Sequence, residues 1–281
     1  MMEEHVLTWK KHLPTRGGDP ALQLFEMPKG LRRPVTQILA AEALDAPARS
    51  VLLDALSALR LQATAPQPEP IRIPLRALEP RQREIVEDLL GEGEVRAEIG
   101  GEAHYRIRES VLPGLWRVRM DTGGEESASW LEVGAVPTPV LYAIERLPRE
   151  TVALPEPLPP GAMNAAALLS ELLARSAAWR PGQANHVINF TLLPITEVDA
   201  EVLTATVGQI PVVIYSEGYG SCRIFATGLR HVWAVQYLNS MGKVILDTLE
   251  VGGVPVAACA AREDFEDSAS RLGQMLEAYA P

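Results

Sequence analysis

Slid along itself by 117 residues, the chain aligns 71–120 with 188–237 without a gap. Identical pairs include Ile71/Ile188, Leu75/Leu192, Glu84/Glu201, Gly91/Gly208, Val95/Val212, Gly101/Gly218, Arg106/Arg223, Ile107/Ile224, Trp116/Trp233 and Val118/Val235. That frequency is about three times the roughly one in fifteen given by chance from ordinary composition. One added residue in the second copy moves the offset to 118. Leu131-Glu132-Val133-Gly134-Ala135-Val136-Pro137 then falls on Leu249-Glu250-Val251-Gly252-Gly253-Val254-Pro255, identical at six of seven positions. Leu52/Leu169, Leu56/Leu173 and Asp54 against Glu171 extend the match upstream. A tandem duplication of this kind calls for two related units rather than one undivided core.

The local pattern is the same in both copies. In the first, Glu79-Pro80 opens a helix, with Pro where its missing N–H does no harm. Leu78, Ile85, Val86, Leu89 and Leu90 then recur at helical spacing, and Gly91 supplies a stop. In the second, Thr196 is the N-cap, and Val198, Val202, Leu203 and Val207 follow before Gly208. Two short strands come next in each copy, 94–99 with 104–110 and 211–216 with 221–228. They are joined through Gly100-Gly101 and Gly218-Tyr219-Gly220, where tight turns need positive φ. A third strand carries Trp116 or Trp233, and a fourth carries the Leu-Glu-Val-Gly run.

The expected fold class is therefore α+β, a tandem duplication of a helix plus an antiparallel four-stranded meander, with additional helices. One sheet face would pack on helices and the other on the sister copy or a partner. The expected organisation is an irregular N-terminal arm (1–34), a first repeat unit (35–146), a Pro-rich linker (147–161) and a second unit with a C-terminal helix (162–281). That helix, over 263–279, begins with Glu263, Asp264, Glu266 and Asp267, which suit its positive dipole end. Phe265, Ala269, Leu272, Leu276 and Tyr279 make its buried stripe.

Charge narrows the function classes. Lys+Arg 26 against Asp+Glu 36 leaves a net charge of -10, so the basic face that phosphate binding requires is missing. Neither nucleic acid nor an anionic membrane is an expected partner. No apolar run reaches the roughly 18 residues of a membrane helix, and the Met-Met-Glu-Glu-His start lacks the pattern of an export signal. Cys222 and Cys259 are too few for a disulfide framework, and a reducing cytoplasm is the expected location.

Each candidate for chemistry has a plainer reading. Cys222 follows Gly218-Tyr219-Gly220-Ser221 and precedes Arg223, and a cation beside a thiol lowers its pKa. Adjacent strand residues face opposite ways, however, so Cys222 is first a small buried strand residue. Cys222, Cys259 and one histidine lack the close pairing of a structural metal site, and no metal or cofactor is expected. Ser216 and Ser221 lack the glycines of a nucleophile elbow. Gly218-Tyr219-Gly220 opens no helix and is not a dinucleotide fingerprint. Trp116 and Trp233 suit core packing, with partner anchoring as the alternative. Arg106 and Arg223 are expected to hold carboxylates, with Glu132 and Glu250 as candidates. No enzyme is indicated.

The second copy carries an ordered set of motifs: Leu193-Pro194-Ile195-Thr196-Glu197-Val198-Asp199, Gly218-Tyr219-Gly220-Ser221-Cys222-Arg223-Ile224, Trp233 through Tyr237 with Asn239, and Ile245-Leu246-Asp247-Thr248-Leu249-Glu250-Val251. Cys259-Ala260-Ala261, Glu263-Asp264, Asp267-Ser268 and Arg271-Leu272 complete it. This set closely resembles the hydrogenase expression/formation family HupH/HyaF/HoxQ. In the first copy, Leu90 through Val95 and Gly114-Leu115-Trp116-Arg117-Val118 match too, and Met27-Pro28-Lys29-Gly30 is similar to an early family element.

The resemblance implies a non-enzymatic cytoplasmic chaperone in maturation of a nickel–iron (NiFe) hydrogenase. Its partners would be the iron–sulfur small subunit precursor, before export and assembly, and other maturation proteins. Gly218, Tyr219, Gly220, Cys222, Arg223 and Trp233 are the candidate partner-binding residues, with Tyr219 as anchor. The acidic balance suits a client with a basic, twin-arginine type export signal. The alternative is a redox or iron–sulfur-handling protein using Cys222 or Cys259 as a transient ligand. One departure stands out: the family usually has Arg where this chain has Glu217.

Overall fold

The computed structural model describes residues 44–65, 69–217 and 221–278. The expected arm over 1–34, the Met27–Gly30 element, Tyr279 and the candidate residues Gly218, Tyr219 and Gly220 lie outside the described residues. The first copy runs α1 (Ala46–Thr64), β1 (Ile71–Pro74), α2 (Pro80–Leu90), β2 (Val95–Ile99), β3 (Ala103–Glu109), β4 (Leu115–Thr122), β5 (Glu125–Val133) and α3 (Thr138–Arg146). The second repeats that order as α4 (Ala165–Ala178), β6 (His186–Asn189), α5 (Glu197–Val207), β7 (Gln209–Ser216), β8 (Cys222–Thr227), β9 (Val232–Leu238), β10 (Val244–Val251) and α6 (Arg262–Ala278). The class is α+β with antiparallel strand pairing, as the sequence predicts.

Strand register carries the duplication through in detail. Trp116 lies opposite Glu132, and Trp233 opposite Glu250. Ile107 pairs with Val118, and Ile224 with Val235. The turn before the third strand is built alike in both copies. Ser110 donates its hydroxyl to Leu112 O and accepts from Leu112 N–H, while Thr227 does the same with Leu229. The backbone N–H of Gly134 donates to Gly114 O, and that of Gly252 to His231 O. Gly114 and His231 sit at matching positions with φ of 81° and 59°. A non-glycine residue holding this left-handed backbone is uncommon; His231 does so packed against Trp179, ring centroids 4.7 Å apart and planes tilted by 45°.

The helices begin and end where their chemistry directs. Thr196 and Asp199 form a capping box on α5. Gly91 and Gly208 close α2 and α5 with φ of 57° and 65°, a conformation that favours glycine. Each copy also has one strand beyond the expected meander, β1 and β6, paired to the last strand. Ile73 lies opposite Leu131 and Ile188 opposite Leu249, so the structural counterpart of Ile188 is Ile73, both buried, and not the sequence-matched Ile71.

The described residues divide into two compact units that do not follow the copies. The first unit takes α1, β1, α2, β3 to β5 and, from the end of the chain, α6. Its strand order is β1-β5-β4-β3. Leu52, Leu59, Leu89, Leu115, Leu131 and the α6 residues Phe265, Ala269, Leu272 and Leu276 share one core. The expected stripe on α6 thus faces α1. Fully burying a leucine or phenylalanine is worth about 1.5–3 kcal/mol, so α6 is a substantial part of this core.

The second unit holds α3 to α5, β6 to β10 and also β2 from the first copy. Its strand order is β2-β7-β8-β9-β10-β6. On one face Val213, Phe225, Ala234, Leu249 and Ile188 pack under Leu169, Leu172 and Leu203 of α4 and α5. In the same unit α3 packs on β2 and β7, and the 3-10 turn Val256–Ala258 packs on β7. Along 147–161, Arg149 is tied in by a backbone bond to Gly228 O and one received from Arg230.

Candidate functional site

The described ends of β7 and β8, which flank the candidate Gly218-Tyr219-Gly220 segment in sequence, have surroundings that follow from register. Arg96 of β2 lies opposite Tyr215 of β7, Tyr215 opposite Arg223 of β8, Arg223 opposite Gln236 of β9, and Gln236 opposite Asp247 of β10. Directly opposite residues point to the same sheet face. Five polar side chains from five adjacent strands therefore form one row, at the hairpin end of the face whose next row is the apolar core.

The row is knitted sideways. The Arg96 guanidinium stands 4.7 Å from the Tyr215 ring centroid and pairs with Glu217 at the base of the hairpin. The contact over the ring is worth about 0.5–1 kcal/mol. The ion pair with the exposed Glu217 is worth less than about 1 kcal/mol. Gln236 Nε2 donates to Asp247 Oδ2 at 3.3 Å, and the Asp247 backbone N–H donates to Thr191 Oγ1 at 3.0 Å. Burial pushes the Tyr215 phenol above its ordinary value, with Glu98 adding to the push and Arg96 and Arg223 opposing it. Sequence reasoning singled out Arg223 but passed over Arg96, Tyr215 and Gln236. Strand alternation could have placed each on a face, but only register puts them in line.

Cys222 points the other way. It pairs with Ser216 and Tyr237 and is 2% exposed. Burial pushes its thiol up to about 11; hydrogen bonds from Ser216 pull it back and the Glu250 charge pushes it further. Glu250 acts likewise on Tyr237 and on Cys259, whose thiol burial drives to about 12. The Glu250 carboxyl is itself raised by burial, against a hydrogen bond from Asn185 Nδ2 at 3.2 Å. Burial thus shifts each of these groups toward its proton-bearing form, and Arg223, the cation that could lower the Cys222 pKa, belongs to the row on the opposite face. A reactive thiolate needs the reverse environment. Among the described residues, no three His, Cys, Asp or Glu side chains meet as a site for a metal ion.

Trp233 is 2% exposed and lies opposite Ala226 and Glu250, on the face away from the row and three residues along β9 from Gln236, so it offers packing and not surface and is not brought together with Arg223. Its counterpart Trp116 is also buried, with Nε1 donating to Gly134 O at 2.7 Å. The expected pairing of Arg106 with Glu132 is replaced by one with Asp121 at 2.9 Å, a neighbour across the β3–β4 pair. Glu132 instead accepts from Trp130 Nε1 at 2.9 Å.

The Leu193–Asp199 motif builds a second feature. Asp199 is fully buried, and its Oδ1 accepts from the backbone N–H groups of Met163, Asn164 and Ala165 at 2.7, 2.8 and 2.9 Å. Oδ2 takes the Thr196 N–H at 3.1 Å. Burial alone would raise this carboxyl; the donors from Thr196, Asn164 and Ala165 outweigh it and hold the pKa below its ordinary value.

No described helix is long and apolar enough to cross a membrane. Comparison with known proteins agrees with these motifs. The model of the HupH hydrogenase expression protein, C-terminal conserved region, matches twice, at residues 46–156 and 162–279, once in each copy. Hydrogenase expression/formation protein HoxQ of Cupriavidus necator is 39% identical over 263 residues, 92% of each chain. Hydrogenase expression/formation protein HupH of Rhodobacter capsulatus is 39% identical over 95% of this chain and 98% of its own. Hydrogenase-1 operon protein HyaF of Escherichia coli is 35% identical over 79% of each. With both copies matched and near-full-length relatives above a third identical, this chain belongs to the HupH hydrogenase expression protein family.

Proposed function

We propose that this protein is an accessory factor in maturation of a NiFe hydrogenase, acting in the cytoplasm on the iron–sulfur small subunit precursor before export and assembly. The observation that carries this reading is the 39% identity, across 92% of both chains, with a hydrogenase expression/formation protein. The site is consistent with recognition instead of turnover: thiols held protonated and a polar row braced across five strands at the hairpin base. The Gly218-Tyr219-Gly220 segment with Arg223 is the proposed contact, with Cys222 buried opposite Ser216 at the described strand ends beside it.

The test is deletion of the gene in its native host, with hydrogenase activity and small-subunit processing as readouts. Loss of both, restored by the wild-type chain, supports the role, as does capture of the small subunit precursor by the tagged protein. Normal hydrogenase activity in the deletion strain overturns it. Capture undiminished by Tyr219→Ala with Arg223→Ala removes the hairpin from the contact.

A further inference from the structure

Large apolar side chains grouped in water mark interaction sites more often than chance. Met163 and Leu192 are 77% and 79% exposed, and Leu193 is 40% exposed. They flank one corner of the second unit, where the chain enters α4 and α5. Asp199 lashes this corner from inside through four backbone N–H groups. Asn164 Nδ2 donates to Pro194 O at 3.1 Å, and the Thr196 hydroxyl donates to Gly161 O at 2.9 Å. The exposed side chains therefore ride on backbone that is already ordered, so a partner meets little further ordering cost.

Along the described chain on either side of the corner, charge has one sign. No Lys or Arg occurs from Thr151 to Ala174 or from Pro181 to Cys222. Glu156 precedes the corner, and Glu197 and Glu201 are exposed on the first turns of α5. Among the described residues, Arg175 lies in the last turn of α4 and the Arg149 guanidinium near Gly208, the C-cap of α5, at the helix ends away from the corner.

We propose that Met163, Leu192 and Leu193 form a docking patch for an apolar segment of a partner protein flanked by lysine or arginine. The leucines and methionine supply apolar contact, and Glu156, Glu197 and Glu201 select the basic flanks. The inference deepens the proposed function and rests on it only in that the partner is a protein.

The test uses the full chain and two labelled peptides with the same Leu/Ala core, one flanked by lysines and its twin by glutamates, read by fluorescence anisotropy. The lysine-flanked peptide is expected to bind about tenfold tighter at low salt, the gap narrowing as salt rises. Met163→Ser with Leu192→Ser is expected to weaken it at least about fivefold without changing the melting temperature. Glu197→Lys with Glu201→Lys should reverse the preference for flanking charge. Equal binding of the twins, or affinity untouched by the serine pair, overturns the proposal. So does a concentration-dependent dimer abolished by the serine pair, which would make a second copy the occupant. A serine-pair variant that loses the peptide yet restores hydrogenase activity overturns the patch as a contact used in maturation and leaves the maturation role standing. A deletion strain with normal activity overturns that role alone.

Discussion

Ala97 of β2 lies directly opposite Ile214 of β7, which is its own counterpart under the 117-residue offset. Val95 faces Ser216 and Ile99 faces Val212, so the pairing is symmetric about the Ala97–Ile214 contact. Each strand meets the other as an identical strand would meet its copy across a two-fold axis, the arrangement of a self-complementary homodimer interface. Here both strands belong to one chain.

This contact is buried on both sides, with Ala97 and Ile214 each 2% exposed. Ile214→Ala should destabilise the chain by about 2–5 kcal/mol, since it removes three buried carbons from a packed face. Ala97→Asp should cost at least as much by burying a charge without a partner. Urea unfolding followed by circular dichroism checks both. A loss under about 1 kcal/mol for Ile214→Ala would mean that the pairing carries little of the core.

Asp199 predicts an acid-sensitive stability. Its folded pKa is depressed, so its contribution is fully present above the unfolded value of about 3.9 and is lost as pH falls through the folded value. Asp199→Asn turns one acceptor into a donor facing backbone N–H groups and should cost about 2–4 kcal/mol at neutral pH. The variant's stability should also depend less on pH below about 5. Parallel melting curves for both proteins from neutral to acid pH measure the two effects together.

The two thiols predict the opposite limb. Cys222 and Cys259 are raised to about 11 and about 12, and their neutral forms are favoured by folding. That contribution is complete below the unfolded thiol value of about 8.5 and falls away as pH rises through the folded values. Cys222→Ala should therefore flatten the alkaline limb of the stability curve. Labelling with a thiol reagent at pH 8 should be slow in the folded chain and should accelerate with urea; rapid labelling of folded Cys222 would restore the redox reading.

Gly114 predicts a steric limit. Its φ is 81°, and a Cβ there would sit 2.3 Å from Phe265 Cε1 on α6. Gly114→Ala combines left-handed strain with overpacking, and the loss should be about 2–5 kcal/mol. Gly114→Ala with Phe265→Ala should cost less than the sum of the single changes, because the cavity left by the ring takes up the methyl. Additive losses in a double-mutant cycle would show that the clash is not what matters.

Local chemistry was enough to read much of this chain. The repeat stands in the identities, the helices in the spacing of Leu89, Leu90 and Val207 before Gly91 and Gly208, and the strands in the hydrophobic runs between glycines. The family could also be named from residue order alone, because its motifs are stretches of contiguous sequence.

Tertiary structure decided what depends on partners distant in sequence. The four-residue strands β1 and β6 are too short to show a period, and only pairing with β5 and β10 gives them register, which makes Ile73 the mate of Ile188. A Gly at 114 hints at a left-handed backbone, but a His at 231 does not, and that conformation is held by its surroundings. The row from Arg96 to Asp247 draws on five strands, and the Asp199 lash reaches back 34 to 36 residues. The assignment of β2 to the second unit and of α6 to the first is likewise invisible to local pattern. Periodicity says which face of an element is apolar, and only the free energy of the assembled core says which apolar face meets it.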